Sequence, residues 1–202
     1  LGETLITGIG QGYIQSTPLQ LCMMTAQIAN GGYAIKPKII VDNNPVSYED
    51  AKQSMESGLL FDSDSETLLD KKLFKSQKNI KIVQEAMFSS TNERFGTSYK
   101  SRIDDPKYQF AGKTGTAQVK RISKRERELD LELEQIPYKD RDHALYVAYG
   151  PYVNPRYALS IIVEHGGSGS KAAAPIAKKL FKLIIDRHDL RIEQSNFERF
   201  TV

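Results

Sequence analysis

Hydrophobic residues along the chain fall into blocks that are separated by two long polar stretches. The first block, at 17–29, opens with Thr-Pro-Leu-Gln, which fits the start of a helix with a capping box. Its residues are apolar on nearly every side of a helix, so we expect this helix to be deeply buried. Asn-Gly-Gly at 30–32 predicts the end of the helix, because Asn and Gly tolerate a left-handed backbone.

The later blocks predict strands and two further helices. Short apolar runs predict strands at 38–41, 109–119, 144–149 and 157–163, and the last two flank a turn sequence that predicts a hairpin.

The first of the two further helices is predicted at 76–95, around Val83, Ala86 and Met87. The second is predicted at 170–187, with Ser170 at its start. Its predicted buried stripe consists of Ile176, Leu180 and Ile184, with Leu183 beside it.

The two polar stretches, at 43–72 and 120–142, interrupt this pattern. We interpret the first as a long surface loop or a weakly ordered excursion. The second is dense in both charge signs, which indicates a solvated excursion, with a partner-binding lobe as the alternative. We expect one structural unit at 1–189, followed by a loose polar tail at 190–202.

Composition and charge change this picture little. The chain has 202 residues, of which 40% are hydrophobic and 26% charged, as in an ordinary globular domain. The net charge of +3 is evenly spread and gives no reason to expect nucleic acid as a partner. Cys22 lies among apolar neighbours, which is typical of a buried core thiol. His143, His165 and His188 lack the paired spacing of a zinc site, so we expect no metal and no cofactor.

The segment with the most chemistry is Lys-Thr-Gly, followed by a second Thr. A phosphate-binding loop needs a glycine where this chain has Lys107, so that interpretation is rejected. On a strand edge, Lys113 supplies a positive charge, and the hydroxyls of Thr114 and Thr116 can donate to the terminal carboxylate of a peptide. Gly115 leaves room for the peptide to pair with the strand. The backbone N–H of Thr116 is a candidate oxyanion donor.

Lys-Thr-Gly is a motif of penicillin-binding proteins. Other segments, before and after it, also resemble that family and occur in the family's order along the chain. The segments at 9–32 and 111–118 resemble the helix that precedes the motif and the motif's own strand. Arg-Asp-His-Ala at 141–144, the hairpin after it and the segment at 165–175 resemble the last two strands and the final helix. Outside its polar excursions, the chain is similar to elongation-type class B penicillin-binding transpeptidases.

The resemblance implies an α/β fold of the penicillin-binding transpeptidase and serine β-lactamase type. In this fold helices cover an antiparallel sheet, which we expect to be incomplete here at its N-terminal side. The implied activity is D,D-transpeptidation of peptidoglycan stem peptides through an acyl-serine intermediate, with binding of β-lactam antibiotics. The resemblance assigns a catalytic role to Lys113 and substrate binding to Thr114, Gly115 and Thr116.

The resemblance also implies partners and a location. The expected partners are other membrane proteins of cell-wall elongation. The expected location of the catalytic domain is the bacterial periplasm, with an anchor upstream in the inner membrane.

The family also needs a Ser-x-x-Lys nucleophile motif and a Ser-x-Asn motif. Ser168 with Lys171 and Ser90 with Asn92 match these patterns, but at the wrong places along the chain. The chain starts with Leu1, so we expect a piece of a longer protein with both true motifs upstream. The piece alone is then expected to lack the nucleophile and to be inactive.

Two alternatives stay open at this point. A class D β-lactamase or a β-lactam sensor domain shares Lys-Thr-Gly and the fold, whereas a scaffold protein can keep the fold without chemistry. His143 is a candidate catalytic base. We favour the interpretation that it holds the start of a strand through hydrogen bonds.

Overall fold

The computed structural model describes residues 2–8, 10, 12, 14–35, 37, 72–120 and 131–200. Within these ranges the sheet has three antiparallel strands in spatial order: β1 (Ala111–Ala117), β2 (His143–Gly150) and β3 (Tyr157–Val163). The α-helices of the same ranges are α1 (Gly2–Gly8), α2 (Pro18–Ala29), α3 (Gln77–Asn92) and α4 (Ala174–Phe200). The predicted α/β class, with an antiparallel sheet covered by helices, is confirmed.

The sheet pairs without interruption, and its two faces have different neighbours. Lys113 lies opposite Val147 on β2, and Val147 lies opposite Ser160 on β3. Because side chains alternate along a strand, one face of β2 presents Tyr146 with its alanine neighbours, and the other presents Val147 and Tyr149. The first face bears the main core, and α2 packs across the second.

The main core lies between the sheet and α4. The ring of Phe181 stacks on Phe110, with ring centroids 4.8 Å apart, and both side chains are fully buried. Ala174 and Ala177 of α4 are also fully buried. Their small side chains let the helix axis lie close to the strands, so that aromatic rings fill the remaining space.

The predicted buried stripe of α4 was partly wrong. Leu180 and Ile184 are half-buried, but Ile176 is 40% exposed and Leu183 is 62% exposed, whereas Phe181 and Ile185 are fully buried. The prediction gave most weight to large aliphatic residues, but small alanines make the contact with the sheet and rotate the buried face.

Both predicted ends of the last helix also differ from the structure. A π-helical turn, Gly169–Ala173, precedes α4, so Ser170 lies inside this turn and does not cap the helix. The helix continues to Phe200, past the point where we expected a loose tail.

The ends of α2 follow the prediction, but its burial does not. Thr17 and Gln20 form the capping box, with nitrogen-to-oxygen distances of 2.8 and 3.2 Å, and Asn30 is the C-cap. Thr25 is the buried residue of this helix. The deep burial that we predicted was wrong, because the described residues cover only the side of α2 that faces the sheet.

Cys22 of α2 is half-buried rather than fully buried. Its Sγ donates to the carbonyl oxygen of Ala158 at 3.4 Å, and burial raises the pKa of the thiol.

Helix α3 has the predicted position, and it buries one narrow stripe. Ile80, Met87 and Thr91 are buried, whereas Val83 and Ala86 are exposed. The spacing of the buried residues corresponds to two and then one helical turn, as expected for a helix that packs along one side.

The predicted polar excursions are only partly within the described residues. The strand predicted at 38–41 and nearly all of the excursion at 43–72 lie outside them. Lys72 forms an isolated β-bridge with Tyr33.

Of the second excursion, Lys120 and residues 131–142 are described. The latter form two short 3-10 turns, Leu133–Gln135 and Tyr138–Asp140. The N–H of Gly167 donates to the carbonyl oxygen of Asp142 at 2.8 Å, which ties the end of this segment to the turn before α4.

We predict that Phe181→Ala lowers the free energy of unfolding by about 3–5 kcal/mol, because it leaves a cavity beneath the sheet. The matched control is Leu183→Ala on the exposed side of the same helix, which we expect to change stability by less than about 0.5 kcal/mol. Chemical denaturation of the intact protein measures both values. Equal effects of the two substitutions would contradict the placement of α4.

Candidate functional site

The Lys-Thr-Gly segment lies on β1, as the sequence predicted. In the part of the chain that the structure describes, β1 pairs with β2 along one edge and has no neighbouring strand along the other. The strand edge is therefore available for a peptide to add by backbone pairing.

Side chains of the segment flank this free edge from both faces of the sheet. Lys113 shares a face with Val147, whereas Thr114 shares the opposite face with Tyr146. Thr116 lies two positions after Thr114 on the strand, so its side chain is on the same face of the sheet as that of Thr114. A peptide that follows the edge thus has an ammonium group on one side and two hydroxyl groups on the other.

The ammonium of Lys113 is exposed, and its Nζ donates to the carbonyl oxygen of Thr114 at 2.7 Å. The role predicted for Lys113 requires a binding groove beside the strand. The described residues supply the strand side of such a groove and do not enclose the ammonium.

A buried hydroxyl cluster lies directly behind the strand and consists of Thr91, Ser98 and Tyr146. The Tyr146 hydroxyl lies 2.9 Å from the Thr91 hydroxyl and 3.0 Å from the Ser98 hydroxyl. Burial raises the pKa of Tyr146, and its hydrogen bonds with Ser98 and Thr91 offset part of this effect. The phenol stays protonated at neutral pH and joins β2 to α3 and to the loop that follows α3.

Gly112 explains why β1 can lie against this cluster. A Cβ at position 112 would lie 2.3 Å from the Tyr146 hydroxyl oxygen, which is far inside contact distance. The glycine before Lys113 is therefore needed for the close approach of strand and phenol. Glycines in this strand predict a close approach of the backbone, but nothing in the sequence pointed to Tyr146 as the group approached, since it lies 34 positions after Gly112.

A row of three hydroxyl groups leads from α3 to the Lys-Thr-Gly segment. The Ser90 and Thr97 hydroxyls are 3.2 Å apart, and the Thr97 and Thr114 hydroxyls are also 3.2 Å apart. Sequence reasoning missed Thr97. Its only local signal was the preceding Gly96, which indicates a loop and no particular contact.

Ser168 and Ser90 match the Ser-x-x-Lys and Ser-x-Asn patterns, but neither has the surroundings of a catalytic serine in the structure. The hydroxyl of Ser168 lies 2.9 Å from that of Ser170, and the hydroxyl of Ser90 bonds to Thr97. Among the described residues, the hydroxyl of neither serine makes a hydrogen bond to a lysine side chain. Our interpretation of both matches as coincidences is consistent with this geometry.

His143 has the structural role that we favoured. Its Nδ1 accepts the backbone N–H of His165 at 2.9 Å, and the Nδ1 of His165 lies 2.9 Å from the carbonyl oxygen of Arg141. These bonds hold the start of β2 against the turn at 164–167. The predicted hydrogen-bonding role at the start of the strand is confirmed.

The described ranges contain neither a candidate metal site nor a candidate membrane span. They include no group of three or more His, Cys, Asp or Glu that is arranged to hold a metal ion. None of their helices is both long and apolar enough to cross a bilayer.

Comparison with known proteins identifies relatives along nearly the whole chain. The family described as "Penicillin binding protein transpeptidase domain" matches residues 2–182. Peptidoglycan D,D-transpeptidase MrdA of Salmonella typhimurium is 32% identical over 185 residues, which are 92% of this chain and 27% of that protein. MrdA of Haemophilus influenzae is 30% identical over 200 residues, which are 96% of this chain and 28% of that protein.

Solved structures give the same result for the fold. Pseudomonas aeruginosa PBP2 in complex with WCK 5153 superposes with a TM-score of 0.64 at 34% identity, over 90% of this chain and 33% of that one. Helicobacter pylori PBP2 in complex with MreC also gives 0.64, at 32% identity, over 90% of this chain and 28% of that one. The chain therefore spans between 27% and 33% of the length of these relatives.

We predict that Gly112→Ala destabilises the protein by about 1–3 kcal/mol, the usual cost of forcing an extra carbon into a packed site. The control is Gly2→Ala in α1, where a Cβ meets no atom within 4 Å. Alanine favours a helix over glycine by up to about 1 kcal/mol, so the control is expected to be neutral or stabilising. Equal stability of the two variants in thermal unfolding would contradict the contact between Gly112 and Tyr146.

Proposed function

Because the chain belongs to the penicillin-binding-protein transpeptidase family, we propose that it forms the Lys-Thr-Gly wall of a peptidoglycan D,D-transpeptidase site. The observation that supports this most directly is the position of Lys113, Thr114 and Thr116 along the free edge of β1. In this proposal the nucleophile and the rest of the active site are supplied by a part of the protein outside these 202 residues.

In this proposal the substrate is a stem peptide that ends in D-Ala-D-Ala and lies along the edge of β1. The hydroxyls of Thr114 and Thr116 donate to its terminal carboxylate in charge-assisted hydrogen bonds. The ammonium of Lys113 adds a fixed positive charge to the same region of the site. Gly115 keeps the edge free of a side chain, and the N–H of Thr116 supplies one donor for the oxyanion.

The proposed chemistry is acyl transfer in two steps. A serine attacks the carbonyl carbon between the two D-Ala residues, its proton passes to a base, and the terminal D-Ala leaves as the free amine. The amine of a second stem peptide then attacks the acyl-serine, forms the cross-link and releases the serine. A β-lactam acylates the same serine when its ring C–N bond breaks, and the released nitrogen, now an amine, stays tethered to the acyl group.

Partners and location are further parts of the proposal. The Helicobacter pylori relative was solved in complex with MreC, which supports a partner among the membrane proteins of cell-wall elongation. A peptidoglycan substrate places the catalytic domain in the periplasm, with an inner-membrane anchor in another part of the protein. The named relatives are D,D-transpeptidases rather than β-lactamases, which favours the transpeptidase over the alternative.

We predict that Lys113→Ala in the intact transpeptidase slows acylation by a fluorescent penicillin about 10- to 100-fold. This is the size expected for the loss of a charge-assisted hydrogen bond of about 1.5–3 kcal/mol. The matched substitution is Lys100→Ala, which removes an exposed lysine of the 3-10 turn Tyr99–Ser101 and is expected to leave the rate unchanged. Residues 1–202 alone serve as the negative control and are expected to take up no stable label.

Two results would contradict the proposal. Stable labelling of the 202-residue chain would show that it contains its own nucleophile. An unchanged acylation rate in Lys113→Ala would show that the edge of β1 is not part of the site. Rapid hydrolysis of the acyl group by the intact protein would instead favour a β-lactamase.

A further inference from the structure

Either hydroxyl of each pair in the row Ser90, Thr97 and Thr114 can be the donor, so the hydrogen bonds can run toward Thr114 or away from it. A serine inside a helix can donate to the carbonyl oxygen four residues before it. Thr91 makes such a bond to Met87, at 3.4 Å, but Ser90 makes none among the described residues. The hydrogen of Ser90 is therefore available to Thr97, and that of Thr97 is available to Thr114.

The direction toward Thr114 matters for the hydroxyl of that residue. A threonine hydroxyl has one hydrogen and two lone pairs. When its oxygen accepts from Thr97, the hydrogen of Thr114 points away from Thr97 and remains free for an acceptor at the strand edge. Bonds in such a row polarise one another, so an oxygen that accepts also becomes a better donor.

The loop that contains Thr97 is held firmly against the end of α3. The backbone N–H and the side-chain hydroxyl of Ser98 both donate to the carbonyl oxygen of Ser90, each at 3.0 Å. A Cβ at Gly96 would lie 2.3 Å from the same oxygen, so only glycine permits this approach. Thr97 is thus fixed between two anchored neighbours, although its own side chain is exposed.

We propose that Thr97 is a positioning residue that orients the hydroxyl of Thr114 for donation to the carboxylate of the substrate. Thr97 acts through Thr114 and does not itself touch the reacting atoms. This inference rests on the proposed function, because it assumes that Thr114 receives a carboxylate. Ser90 is the first member of the same row and supports Thr97 from the helix.

The test uses the intact transpeptidase and two forms of one penicillin, the free carboxylate and its methyl ester. Thr97→Val keeps the shape of the side chain but removes the donor, and Thr97→Ser keeps the donor. Ser89→Ala is the control, since the Ser89 hydroxyl makes no hydrogen bond within the described residues and lies next to Ser90 on α3.

We expect Thr97→Val to slow acylation by the free carboxylate about fivefold to tenfold, the effect of one hydrogen bond. The ester accepts a weaker bond, so its rate is expected to fall less than about twofold. Thr97→Ser and Ser89→Ala are expected to retain the wild-type rates with both compounds, and all variants to unfold at the wild-type temperature.

Other results would contradict the role proposed for Thr97. Equal losses with acid and ester would show a general structural effect, and an unchanged rate with the acid would show that Thr97 has no role. Failure of Thr97→Ser to retain the rate would also refute the orientation of Thr114. A wild-type protein that no penicillin acylates would refute the proposed function itself, and this inference with it.

Discussion

The structure depends on the close contact between Gly112 and the buried hydroxyl of Tyr146. This contact fixes how deeply β1 lies against the region behind it, because the phenol is itself fixed by Thr91 and Ser98. Each buried hydroxyl of the cluster has a partner, which avoids the cost of about 1–3 kcal/mol for an unsatisfied polar group. The strand that displays Lys113 is therefore supported by three different segments of the chain, and its free edge is a rigid surface.

The two sides of the sheet contribute differently to that rigidity. On the side of Tyr146, aromatic rings and small alanines pack densely beneath the strands, with Phe181 stacked on Phe110. The turn that leads into α4 adds a second close contact, because a Cβ at Gly169 would lie 2.8 Å from the carbonyl oxygen of Gly115. The Lys-Thr-Gly segment is thus held at both ends by glycine contacts, one at Gly112 and one near Gly115. Such support is what a site needs in order to bind a carboxylate in one geometry.

Local features of the fold were predictable from the sequence, whereas its long-range contacts were not. The capping box at Thr17 and the hairpin of β2 and β3 depend on residues close together in the chain, and both were predicted. The prediction for the buried face of α4 was partly wrong, because alanines give a weaker hydrophobic signal than Ile176 and Leu183. The small size of the alanines nevertheless decides how the helix packs. The burial of α2 was overestimated because an apolar pattern shows what a helix can bury and not what covers it.

In the candidate site, too, residues in a local motif were predictable from the sequence and long-range contacts were not. Lys113, Thr114 and Thr116 were found through a motif of adjacent residues, and their place on an edge strand is confirmed. Thr97 lies 17 positions before Thr114 on another element, and no pattern in the sequence joins the two.

The most direct test is a crystal structure of the intact protein after reaction with a penicillin that has a free carboxylate. We expect the carboxylate to lie within hydrogen-bond distance of the Thr114 and Thr116 hydroxyls, with the ammonium of Lys113 turned from the Thr114 carbonyl toward the site. A carboxylate bound elsewhere, with Lys113 unchanged on its own strand, would contradict the central claim.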